Sequence, residues 1–170
     1  MARSLKLIAT TAFAVAASAS PAQPPRAVAA FVEGARACAA IPAAIDEAER
    51  QLVSQGWPRA TIQTGSGQAP ANPNLRTFGR NGVMLMLTPP RADAAAAAGA
   101  ACAVYGTVEQ MIAFTTLVEA LSAALGSPPR QTRDTAALWL LEGPRAAQLE
   151  RAAGQPRALM IFGSPASRPQ

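Results

Sequence analysis

A chain of 170 residues with a formal net charge of +5, two cysteines and no histidine is long enough to bury the core of one domain and needs no second. The lack of histidine excludes Ser-His-Asp catalysis and the usual zinc ligand sets, and leaves either cysteine without its ordinary activating base. Arginines are scattered along the chain (Arg26, Arg36, Arg50, Arg59, Arg76, Arg80, Arg91, Arg130, Arg133) with few interleaved aromatics, which speaks against a nucleic-acid face.

The chain begins MARSLKLIATTAFAVAASASPAQ: Arg3 and Lys6, an apolar run from Leu7 to Ala17, then small residues. This is the three-part plan of a secretory signal peptide, and the run is too short for the roughly 20 residues of a membrane-spanning helix. Residues 1–19 are therefore expected to be removed after Ala19, with Ala22 as the second choice of site, leaving no transmembrane anchor. The product would be periplasmic or secreted. Losing Arg3 and Lys6 from the 15 basic residues leaves 13, all arginine, against 10 acidic ones, a net charge of about +3. Richness in Ala, Arg, Pro and Gly is what GC-rich coding produces. After a linker over 20–27, residues 28–163 are expected to form a single domain, with 164–170 as a disordered tail.

From Val28 to Val53 apolar residues recur at helical spacing, with Phe31, Cys38, Ile45 and Leu52 seven apart. Pro42 interrupts the pattern and predicts a kink or two abutting helices. Within this region DEAER, residues 46–50, places Asp46 and Glu49 on one helix face, and Asp46 can also pair with Arg50 as an ordinary surface ion pair. Gly56, Trp57 and Pro58 stop the helix, and Ala60 to Thr64 can start a strand. Thr64 to Asn74 is loop by composition, and its Gly65 and Gly67 lack the Lys-Ser/Thr ending of a phosphate cradle, so no cofactor motif follows.

NLRTFGRNGVMLMLTPP carries the clearest hairpin signal, Asn81-Gly82 between apolar strands near 75–79 and 83–88. In the second strand Val83, Leu85 and Leu87 alternate with Met84, Met86 and Thr88; both faces are apolar, which predicts an interior strand with the methionines filling core. Residues 91–100 are low-complexity connection, and Ala101 to Tyr105 forms a strand with Cys102 and Val104 on one face. Thr107 and Gln110 have the spacing of a capping box opening a helix with the stripe Met111, Phe114, Val118, Leu121 and Leu125, stopped by Gly126 and Pro128. A strand from Ala136 to Leu141, a short helix between Pro144 and Gly154, and a strand from Arg157 to Phe162 complete the chain.

The expected fold class is α+β: a single small domain with an antiparallel sheet of about four to six strands, two main helices packed on one face, and one disulfide. Cys38 on the helix stripe and Cys102 on the strand face can meet between helix and sheet, which predicts a Cys38–Cys102 bridge. The expected function is that of an exported small binding or interaction protein whose partner, a protein or a small molecule, lies in the cell envelope. Arg76, Arg80 and Trp139 would serve its recognition surface if exposed. Two alternatives remain open: a histidine-free hydrolase using two carboxylates from Glu109, Glu119, Asp134 and Glu142, which no spacing marks as a pair, and a structural cell-envelope component that self-associates.

Overall fold

The computed structural model describes residues 25–61, 74–90, 99–108, 112–151 and 155–163. Helix α1, Arg26–Ala39, forms because Val28, Phe31, Ala35 and Cys38 fall on one face, where all four are fully buried. It ends before Pro42, and α2, Ile45–Ser54, begins after the break. The proline thus divides the predicted helical region into two separate helices instead of bending one.

Strands β1 (Arg76–Arg80) and β2 (Val83–Thr88) pair antiparallel as expected across Asn81 and Gly82, whose φ values of 51° and 77° supply the left-handed turn. Strand β3, Ala101–Thr107, adds beside β2. After helix α3, Phe114–Leu125, the chain forms a second meander: β4 (Gln131–Thr132), β5 (Ala136–Leu140), β6 (Ala146–Glu150) and β7 (Arg157–Gly163). The last strands of the two meanders, β3 and β7, join antiparallel at the centre, giving one seven-stranded sheet in the order β1-β2-β3-β7-β6-β5-β4.

Register decides which side chains share a face. Phe78, Leu85, Val104, Met160, Leu149 and Ala137 form one cross-strand row, and Leu87, Cys102, Phe162, Ala147 and Trp139 form the next. All are buried beneath α1 and α3. Gly34 brings α1 close: a Cβ there would lie 3.0–3.2 Å from methyl groups of Val104, Leu85 and Val83. At the other side of the helical layer the Trp139 indole N–H donates to Ser122 Oγ at 3.2 Å, and that hydroxyl donates to the Val118 carbonyl at 2.7 Å.

Among the described residues the sheet has seven strands where about four to six were expected, and there are three helices where two main ones were expected. Thr107 does not cap a helix. Its backbone pairs with Arg157 at the end of β3, and α3 opens only at Phe114, while Gln110 and Met111 lie outside the described residues. Gly126 does close α3, with φ of 72°. The short helix expected after Pro144 is instead strand β6, because Ala147 and Leu149 alternate with Gln148 and Glu150 and cross-strand burial overrides the local helix formers. In place of a strand from Ala60 stands an isolated bridge between Arg59 and Phe78, and residues 62–64 lie outside the described residues.

Candidate functional site

Cys38 and Cys102 are joined in a disulfide with a Cα–Cα distance of 5.5 Å, both side chains fully buried. The bridge fixes the last turn of α1 to β3 at mid-sheet. A helix C-terminus leaves carbonyls without intrahelical donors, and here those carbonyls are met from elsewhere in the chain. The Arg145 guanidinium donates through Nη1 to the Ala39 carbonyl at 2.9 Å and the Ile41 carbonyl at 3.3 Å, and through Nη2 to the Cys38 carbonyl at 3.0 Å. Gln51 Nε2 donates to the Ala40 carbonyl at 3.0 Å. Arg145 sits just before β6, after the β5–β6 turn where Gly143 has φ of 71°, so the second meander reaches across to cap the first helix. Burial lowers the pKa of Arg145, yet a guanidinium remains charged at neutral pH, and a cation suits the negative end of the helix dipole.

Beside this cap lies an open groove of about 520 Å³ lined by Arg36, Ala39, Ala40, Ala124, Leu125, Leu141, Glu142 and Arg145. Its walls are the C-terminal turns of α1 and α3 and the chain leaving β5. Three alanines and two leucines line it together with two guanidinium groups and one carboxylate. The volume lies in the range of small-molecule sites. Such a surface can bind; its lining residues offer no nucleophile and only one acid.

A second polar cluster ties α2 and α1 to the edge hairpin. Glu49, buried, pairs with Arg59 and Arg76; Arg76 also meets Asp46 at 2.7 Å. Arg80 pairs with Glu33 at 2.8 Å and lies 5.6 Å from the Trp57 ring centroid. Arg76 and Arg80 are therefore committed to joining helices to β1, and Trp139 is fully buried, so the three do not make the recognition surface expected of them. Asp46 and Glu49 of DEAER both reach Arg76 of β1: Asp46 takes Arg76, not the helical neighbour four residues on.

Of the carboxylates considered for hydrolysis, Glu109 lies outside the described residues and Glu119 is exposed on α3. Asp134 and Glu142 flank opposite ends of the five-residue strand β5, whose first and last Cα atoms lie about 13 Å apart at about 3.3 Å per step. Among the described residues no group of three or more His, Cys, Asp or Glu is arranged to hold a metal ion, and no helix is long and apolar enough to cross a membrane. Arg145 is the residue the sequence reading passed over. Its only local signal is the Gly143-Pro144 turn that sets it at the start of β6.

Comparison with protein families, with curated proteins and with solved structures finds no match. The functional reading therefore rests on the geometry.

Proposed function

We propose that the protein is an exported binding protein that holds a small amphipathic ligand in the groove between the ends of α1 and α3. The observation that carries this is the groove itself, whose lining combines Leu125, Leu141 and three alanines with Arg36, Glu142 and Arg145. Its walls are pre-organised: the disulfide anchors α1 and the Arg145 cap holds the turn after β5 against it. Rigid walls lower the ordering cost of binding. Export is supported by the amino-terminal pattern and by a buried disulfide, which persists in oxidising compartments.

The test is a nuclear magnetic resonance titration of the oxidised protein with the small-molecule fraction of the source envelope, repeated on Ala124→Trp, which fills the groove from α3. Shifts clustered at Ala39, Leu125 and Leu141 in the wild type and lost in the variant support the reading. Shifts that survive the filled groove, or none at all, defeat it.

A further inference from the structure

A charge drawn out of water is ordinarily matched by an opposite charge beside it. The arginines that tie the helices to β1 obey this rule: Arg59 and Arg76 meet Glu49, and Arg80 meets Glu33. Arg145 does not. It is half-buried, and its three hydrogen bonds run to the carbonyls of Cys38, Ala39 and Ile41, dipoles that leave its net charge in place. Among the described residues no carboxylate lies within ion-pair distance of it, and burial lowers its pKa. Its contacts leave from Nη1 and Nη2 alone. A guanidinium carries five N–H donors, so the Nε–H and one Nη2–H have no acceptor among the described residues. Arg36, on the same groove, is exposed and also outside any ion pair among the described residues. The one acid of the lining, Glu142, is exposed and bridges neither arginine.

We propose that the groove selects an amphipathic monoanion, a carboxylate bearing a short apolar chain, with its head group against Arg36 and Arg145 and its chain against Ala124, Leu125 and Leu141. This rests on the reading of the groove as a ligand site and adds the charge and orientation of what it takes. Two guanidinium groups and one carboxylate leave the lining with one net positive charge, which a single carboxylate neutralises. A phosphate monoester carries more negative charge than that and would bring the excess beside Glu142. The unused N–H donors of Arg145 suit a carboxylate, whose two oxygens accept charge-assisted hydrogen bonds from a guanidinium. Orientation follows from the helix ends. The last turn of α3, with Ala124 and Leu125, is the negative end of that helix and repels an anionic head group. The matching end of α1 is already offset by Arg145, so the head group settles there and the apolar chain lies toward α3.

Four eight-carbon probes that differ only in the head group test this: octanoate, octan-1-ol, octylammonium and octyl phosphate, each titrated into the full oxidised protein at neutral pH and followed by nuclear magnetic resonance. Octanoate is expected to bind at least about tenfold more tightly than octan-1-ol, with octylammonium weakest and octyl phosphate weaker than octanoate. Arg145 is left intact, because its loss also uncaps α1. Arg36→Met, at an exposed residue, should weaken octanoate about threefold, the scale of an exposed ion pair, and leave octan-1-ol unchanged. Glu142→Gln should strengthen octanoate by a similar factor, and Ala124→Trp should abolish binding of every probe. Octan-1-ol or octylammonium binding as tightly as octanoate, in a groove that Ala124→Trp empties, would overturn the charge assignment and leave the groove a ligand site. Octyl phosphate binding more tightly than octanoate, or octanoate indifferent to both Arg36→Met and Glu142→Gln, would overturn it in the same way. Octanoate shifts that survive Ala124→Trp would defeat the groove reading as well. If no probe binds, the carboxylate assignment falls, while the groove stands or falls on the envelope titration.

Discussion

Replacing Arg145 with methionine keeps most of the aliphatic stem and removes the guanidinium that caps α1. Three hydrogen bonds are lost, to the carbonyls of Cys38, Ala39 and Ile41. A bond to a charged group contributes about 1.5–3 kcal/mol when fully desolvated, but the groove is open and water can reach the released carbonyls. The expected net loss is therefore about 2–3 kcal/mol, well below the threefold sum. For a domain of this size that corresponds to a melting temperature roughly 5–10 °C lower. The assay is urea and thermal unfolding of the oxidised protein, with Arg36→Met as the partner experiment. Arg36 lies in the last turn of the same helix and lines the same groove but is exposed, so its loss should cost under about 0.5 kcal/mol. Burial depresses the Arg145 pKa, so its neutralisation in the fold begins only as pH rises toward the ordinary arginine range. Between about pH 5 and 9 both folded and unfolded states hold the proton, and the difference between wild type and variant should be flat. An Arg145→Met protein within about 0.5 kcal/mol of wild type, or indistinguishable from Arg36→Met, would refute the capping argument.

Removing the bridge by a Cys38→Ala/Cys102→Ala double substitution opens a loop of sequence separation 64 and should destabilise the fold by about 4 kcal/mol in the chain-entropy model, read from urea unfolding. Ser122→Ala strips the Trp139 indole N–H of its acceptor inside the core; a loss of about 1–2 kcal/mol is expected, together with a shift in tryptophan fluorescence. Gly34→Val drives side-chain atoms into Val104, Leu85 and Val83, forcing α1 off the sheet at a cost of about 1–3 kcal/mol, whereas the same change at Gly82, where a Cβ meets nothing, should act only through its positive φ.

Local signals placed much of the fold in the sequence. The Asn81-Gly82 turn, the stripe from Val28 to Cys38, the break at Pro42 and the stop at Gly126 each depend on chemistry within a few residues, and each appears where expected. The Cys38–Cys102 bridge was legible because two independent periodicities turned both thiols toward the same layer. What local pattern misassigned was settled by long-range pairing. β6 reads as helix until Ala147 and Leu149 are set between Trp139 and Phe162 and between Ala137 and Met160. Thr107 reads as a cap until its backbone is taken by β7. The groove was illegible for the same reason, since Arg145 lies more than 100 positions from the carbonyls it meets. Trp139 and the two arginines of β1 were open to either reading until packing gave the indole to the core and the guanidinium groups to acids on α1 and α2.

The most direct measurement of the central claim is native mass spectrometry of the protein isolated from its own cells without reductant. The account predicts a chain lacking residues 1–19 or 1–22, lighter by two hydrogens for the Cys38–Cys102 bridge, and carrying a small bound mass that Ala124→Trp abolishes. A full-length chain with two free thiols and no bound mass would contradict export, the oxidising compartment and the binding role together.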